Sequence, residues 1–161
     1  MPRYCLDANT FIEAKNGPYG MDIVPAFWSW LDQQFDAGVL YSSMLVCDEL
    51  TDGNDDLAEW AKLRKDSGIF VPPNDVVQVV FQQIADHVNA NFPQPQAQAF
   101  LEGADPWVIA EAKVGNAIVV THEILVPPNS SKVKIPNICQ HFHVEYRKVY
   151  TMLRELNARF I

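Results

Sequence analysis

Long apolar runs are missing from this chain, and none reaches the roughly 18 residues that a membrane-spanning helix needs. No contact with a membrane is expected. Basic residues are scarce, 12 Lys and Arg against 20 Asp and Glu, and the balance of 12 − 20 = −8 disfavours a protein that blankets nucleic-acid phosphates with positive charge. An acidic site that works through a metal stays open. Cysteine is sparse: Cys5, Cys47 and Cys139 form no CxxC pair and are odd in number, which argues against a disulfide framework and for thiols in the cytoplasm. The opening Met1-Pro2-Arg3-Tyr4 runs into a short apolar segment carrying an acid, without the hydrophobic stretch or cleavage site of an export signal. Repeats, low-complexity tracts, like-charge blocks and linkers are also lacking, so residues 1–161 are expected to form a single domain.

What is present is a well-mixed globular composition, 48% hydrophobic and 11% aromatic, which excludes intrinsic disorder. Residues 4–7 read as a short buried strand, after which Asn9-Thr10 opens a helix that Gly17-Pro18 breaks. Helices are expected over 23–35, 44–50 with Ser42 as cap, 55–65, from Asn74 to Val88, 107–114 and 152–158. Strands are expected over 39–41, 69–71 and 117–121, with weaker signals at 132–135 and 144–146, and the prolines near 72–73, 93–95 and 127–128 read as turns. Short strands alternating with helices predict an α/β fold, a three-layer α/β/α sandwich with a mainly parallel central sheet.

In such sheets ligands bind beyond the carboxyl ends of the strands, where Asp7 and Glu123 fall. On the helix over 44–50, at 100° per residue from Met44, Leu45, Val46 and Leu50 lie near about 100°, 200° and 240°, and Glu49 near about 140° between them. Glu49 thus points with the apolar face, where a carboxylate needs a cation, either a metal or a buried Arg or Lys. Asp48 and Asp52 lie off that face as solvated charges. Asp105-Pro106 is an ordinary helix start, with Asp105 as the cap, but the helix behind it is apolar almost all round, which brings Asp105 to the same cleft. Carboxylates gathered in one cleft raise each other's pKa values unless divalent cations neutralise them. All-oxygen ligands suit Mg²⁺ or Mn²⁺, and two such ions about 3.5–4 Å apart suit phosphodiester hydrolysis.

Four segments carry a resemblance. Tyr4-Cys5-Leu6-Asp7-Ala8-Asn9-Thr10-Phe11-Ile12, Leu45-Val46-Cys47-Asp48-Glu49-Leu50, Asp105-Pro106-Trp107-Val108-Ile109-Ala110-Glu111-Ala112 and Ile118-Val119-Val120-Thr121-His122-Glu123 resemble, in order, the motifs of the PIN-domain family of metal-dependent ribonucleases, which includes VapC-type toxins. The segments from Lys132 to Cys139 and from Met152 to Leu156 look like a PIN-like branch of uncharacterised prokaryotic proteins. The resemblance implies that Asp7, Glu49, Asp105 and Glu123 are catalytic metal ligands for one or two Mg²⁺ or Mn²⁺ ions. It implies that Asn9 and Thr10 support Asp7 through hydrogen bonds, with Thr121 in a supporting position too. The implied function is an endoribonuclease toxin with RNA as substrate, an antitoxin as partner and a homodimer as assembly. One departure is Glu123, where the wider family usually has Asp; a weakened, PIN-like interaction module is therefore an alternative, as is a DNA flap-type nuclease.

Other features have plainer readings. Asp7-Ala8-Asn9-Thr10 also resembles the phosphotransfer motif of haloacid-dehalogenase-like phosphatases, but Asn9 stands where a second acid is needed. Cys139, His141 and His143 lack a zinc-finger spacing. Phe27, Trp28, Trp30 and Phe35 read as core, with room for a dimer or antitoxin surface. Lys62, Arg64 and Lys65, and Lys132 with Lys134 on one strand face, are solvated charges or grips for RNA phosphates.

Overall fold

The short apolar runs become strands of two to four residues, each stable only through its neighbours. In the computed structural model, which describes residues 2–161, β1 (Tyr4–Leu6) is central, flanked by β2 (Leu40–Ser43) and β4 (Ile118–Val120). β3 (Phe70–Val71) and β5 (Tyr146–Arg147) complete a sheet of order β3-β2-β1-β4-β5, parallel throughout. All residues of β1, β2 and β4 are buried, as expected of strands covered on both faces. The register sets Tyr4 opposite Leu40 and Ile118, and Leu6 opposite Ser42 and Val120, so these strands end level.

Helices α1 (Ala8–Asn16), α2 (Pro25–Asp36), α3 (Met44–Thr51), α4 (Asp56–Lys62) and α5 (Asp75–Asn91) lie among and after the first three strands. They are followed by α6 (Gln94–Glu102), α7 (Asp105–Gly115), α8 (Ile135–His141) and α9 (Val149–Glu155). The result is the expected three-layer α/β/α sandwich. α7 packs on β1, β2, β4 and α5, burying Val108, Ile109, Ala110 and Ala112. From β1 the chain first builds outward to β2 and β3, then returns through α5, α6 and α7 to place β4 on the other side of β1. The direction of winding reverses between β1 and β4, and a crevice opens there.

Several expectations are corrected. Residues 132–135 form no strand: Lys134 is the N-cap of α8, and Pro136 sits in the first turn, where its missing N–H is harmless. The prolines at 93–95 start a helix instead of making only a turn, since Pro93 is the N-cap of α6 and Pro95 lies in its first turn. The cap of α3 is Ser43, not Ser42. Strand β5 begins at Tyr146, at the end of the expected 144–146, and α9 begins three residues before the expected 152. Phe27, Trp28, Trp30 and Phe35 are between 1% and 9% exposed, stacked among Phe11, Tyr19, Trp60 and Phe160, and so offer no surface to a partner. Cys5, Cys47 and Cys139 are buried free thiols.

Candidate active site

Asp7 follows β1 directly and caps α1, so the strand's end and the helix's start together fix its carboxylate. Its Oδ1 accepts from the Thr10 N–H at 2.8 Å and lies 2.7 Å from the Thr10 hydroxyl, and its Oδ2 accepts from the Thr121 hydroxyl at 2.8 Å. Thr121 also accepts from the Glu123 N–H at 3.1 Å, tying the end of β4 to the end of β1 across the crevice. Asp7 is fully buried, and burial pushes its pKa up to about 6, with the Thr10 and Thr121 hydrogen bonds opposing and Glu123 reinforcing the rise.

Asp105 is not a cap. Ala104 is the N-cap of α7, without a side-chain hydrogen bond, and Asp105 is the first helical residue. Its carboxylate accepts no hydrogen bond among the described residues. Burial, then the negative charges of Asp7, Glu123 and Glu49, push its pKa up to about 7, and Lys134 acts against them. Asp105 thus lies within the electrostatic reach of the other three acids.

Glu49 departs from the expected orientation. It is exposed, because α3 buries Val46, Cys47 and Leu50 while Leu45 is only partly covered, and this turns the buried arc away from Glu49. Its Oε1 reaches across to accept from the Ala104 N–H at 2.8 Å, one residue before Asp105. Glu123 is half-buried and its Oε1 accepts from the Ile135 N–H at the start of α8 at 2.7 Å. Asn9 is exposed and makes no hydrogen bond to Asp7; the support comes from Thr10 and Thr121.

Among the described residues no three His, Cys, Asp or Glu side chains converge tightly enough to hold one ion. The reason is visible in the hydrogen bonds: Glu49 and Glu123 each lean on a backbone N–H. The donor set nevertheless fits a hard divalent cation. It is all oxygen, Glu49 and Glu123 each commit one oxygen only, and Asp105 commits none. Mutual repulsion, already raising Asp105, is what such an ion relieves.

Two features escaped the sequence reading. His122 Nδ1 lies 3.2 Å from Glu13 Oε2, a pair from separate elements that no local motif announces. Lys134, expected as a solvated charge or a grip for RNA phosphates, puts its field on Asp105. Of the other basic patch, Arg64 is committed to the fold, bonded to both oxygens of Asp32 at 2.7 Å and lying over the Trp60 ring.

A parallel sheet with acids at the switch point beside its first strand defines a PIN-like fold. Solved structures similar to this chain agree. FitAcB from Neisseria gonorrhoeae matches with a TM-score of 0.52 at 18% identity, covering 89% of this chain and 95% of that one. FitAB bound to an IR36 DNA fragment matches at 0.54 and 16%, covering 90% and 94%, and VapBC2 from Rickettsia felis bound to a DNA fragment from its promoter at 0.51 and 13%, covering 90% and 97%. No curated protein matches the sequence. Residues 4–160 match the family model described as Domain of unknown function (DUF4411), and the chain belongs to that family.

Proposed function

We propose that the chain is a divalent-metal-dependent endoribonuclease of PIN type, the toxin of a toxin–antitoxin pair, acting in the cytoplasm. The observation that supports this reading is that Asp105 feels the charges of Asp7, Glu123 and Glu49, with Asp7 directly after β1 and Glu123 just past the neighbouring β4. Asp7, clamped by Thr10 and Thr121, is the fixed ligand, and Asp105 presents a carboxylate that accepts no hydrogen bond among the described residues. Glu49 and Glu123 each keep a second oxygen to contribute. Mg²⁺ or Mn²⁺ held there would neutralise the cleft, polarise an RNA phosphate and ease deprotonation of the attacking water. The fold shared with FitAB and VapBC2 supports an antitoxin as partner. A homodimer rests on the PIN resemblance alone.

One observation favours a second reading, an interaction module without catalysis: Glu123, already Glu where Asp is usual, has one oxygen engaged by Ile135. Cleavage of labelled single-stranded RNA in Mn²⁺, with titration calorimetry of Mn²⁺ binding, separates the two. The nuclease reading expects Mn²⁺ binding and cleavage that Asp7→Asn and Asp105→Asn each reduce at least 100-fold. Absence of Mn²⁺ binding in the wild type leaves the interaction module standing. Branched DNA as a competing substrate tests flap-type activity.

A further inference from the structure

Beside the acidic crevice lies a hollow of about 130 Å³, lined by Glu13, Pro18, Tyr19, His122 and Tyr150 with Ala14 and Val149. A second hollow of about 210 Å³ adjoins it across Tyr19 and Tyr150 and adds Arg154 and Phe160. Together they make an aromatic groove that starts at the neighbour of Glu123 and follows α9.

Its walls differ in rigidity. Tyr19 is stacked on Phe27, ring centroids 4.4 Å apart and planes 6° from parallel, and its carbonyl accepts from Trp28 Nε1 at 2.7 Å. Tyr150 is 43% exposed and stands 6.4 Å from Tyr19 and 6.5 Å from His122, ring centre to ring centre. Tyr150 is tilted 50° to Tyr19 and stands at 76°, nearly edge-on, to His122, so the two hollows are walled by rings set at angles, and the more exposed Tyr150 is the ring on which a flat guest can stack.

The charges are sorted along the groove. Glu13, its Oε2 beside His122 Nδ1, repels phosphate at the crevice end but accepts N–H donors of the kind a nucleobase edge carries. At the far end Arg154 faces Tyr19 and engages no acid or carbonyl among the described residues. Most other cations are committed: Arg3, Lys15, Lys62, Arg64, Lys113 and Arg147 all hold carboxylates or carbonyl oxygens. Among the described residues the uncommitted ones are Lys65, Lys132, Lys134, Lys148, Arg154 and Arg159, and of these Arg154 alone lines the groove. In a chain of net charge −8, this is where a polyanion with exposed bases finds both stacking and countercharge.

We propose that this groove binds single-stranded RNA leaving the crevice, one unstacked base lodging among Tyr19, Tyr150 and His122 and a neighbouring phosphate meeting Arg154. The substrate class rests on the ribonuclease reading of the crevice. The test is equilibrium binding of the full chain, in EDTA so that nothing is cut, to a labelled mixed-sequence RNA octamer and to an abasic ribose-phosphate chain of the same length. Tyr150→Ala weakens RNA binding about tenfold and leaves its salt dependence unchanged, and Tyr150→Trp restores it. Arg154→Ala lowers the slope of log affinity against log salt by about 0.7. The abasic chain binds the wild type as weakly as RNA binds Tyr150→Ala, and is indifferent to that substitution. Both residues are exposed, so the variants fold; unchanged RNA affinity in Tyr150→Ala and Arg154→Ala overturns the groove, including the case in which a protein occupies it. Tyr150-dependent RNA binding by a protein that cuts no RNA in Mn²⁺ instead refutes the nuclease reading and leaves the groove standing.

Discussion

Thr121 is the residue on which the crevice turns. One hydroxyl donates to the buried Asp7 carboxylate and accepts from the Glu123 N–H, so it holds two of the four acids in register. Thr121→Val keeps the shape and deletes both bonds, leaving a buried carboxylate oxygen short of a donor. Chemical denaturation should show a loss of about 1–3 kcal/mol that Thr121→Ser recovers. Glu111 poses the opposite case: it is 6% exposed, its Oε1 has no partner, and burial alone pushes its pKa up to about 7 from 4.5. The folded state therefore holds its proton longer than the unfolded chain, and the stability present below about pH 4.5 is lost as pH rises to about 7. Glu111→Gln should be more stable than wild type by about 3 kcal/mol at pH 8 and close to it at pH 4. Asp7 and Asp105 titrate in the same direction in both proteins, so the difference isolates Glu111. Asp7 was legible from its place after a buried apolar run. The engagement of His122 with Glu13 was not, because it joins residues far apart in sequence with no shared periodicity.

At the scale of elements, what could be read was whatever a single periodicity controls. The run ending at Thr121 had to be a buried strand, and Asn74 had to cap a helix with Val76, Val77, Val80, Phe81, Ile84 and Val88 at helical spacing; the strand and the cap hold, and four of the six are buried, while Phe81 is only partly covered and Val76 is 59% exposed. Where two local signals competed, tertiary context decided. Residues 132–135 alternate as a strand does, yet Pro136 fits the first turn of a helix, and the Ile135 N–H it leaves free becomes the partner of Glu123. The orientation of Glu49 failed for a related reason: counting Leu45 as buried rotated the helix, and only the packing of α3 on its neighbours shows that Cys47 takes that place. α7 is the element that carries Asp105 to the crevice, and Ile109 in it is fully buried. Ile109→Ala should cost about 2–5 kcal/mol by calorimetry. Val114→Ala, at the exposed end of the same helix, should stay within about 0.5 kcal/mol.

For the whole molecule, a net charge of −8 first tells against any nucleic-acid partner, and the fold changes what that number means. Near the switch point Asp105 feels the negative charges of Asp7, Glu123 and Glu49, and burial together with these charges pushes it up to about 7. A site of this kind is a strain on the metal-free protein that a cation would remove, so stability and function pull against each other there. Asp105→Asn deletes one of the crowded charges without changing shape. At pH 8, above its raised pKa, the variant should melt at a higher temperature than wild type in EDTA. At pH 3, below the ordinary value of 3.8, where the carboxyl is largely protonated in both folded and unfolded chains, the two melting temperatures should converge. Adding Mn²⁺ should reverse the order at pH 8, raising the wild type by an amount that grows with the logarithm of metal concentration and leaving Asp105→Asn nearly unmoved. A wild type that gains nothing from Mn²⁺ would show that the crevice collects acids for some purpose other than holding a cation.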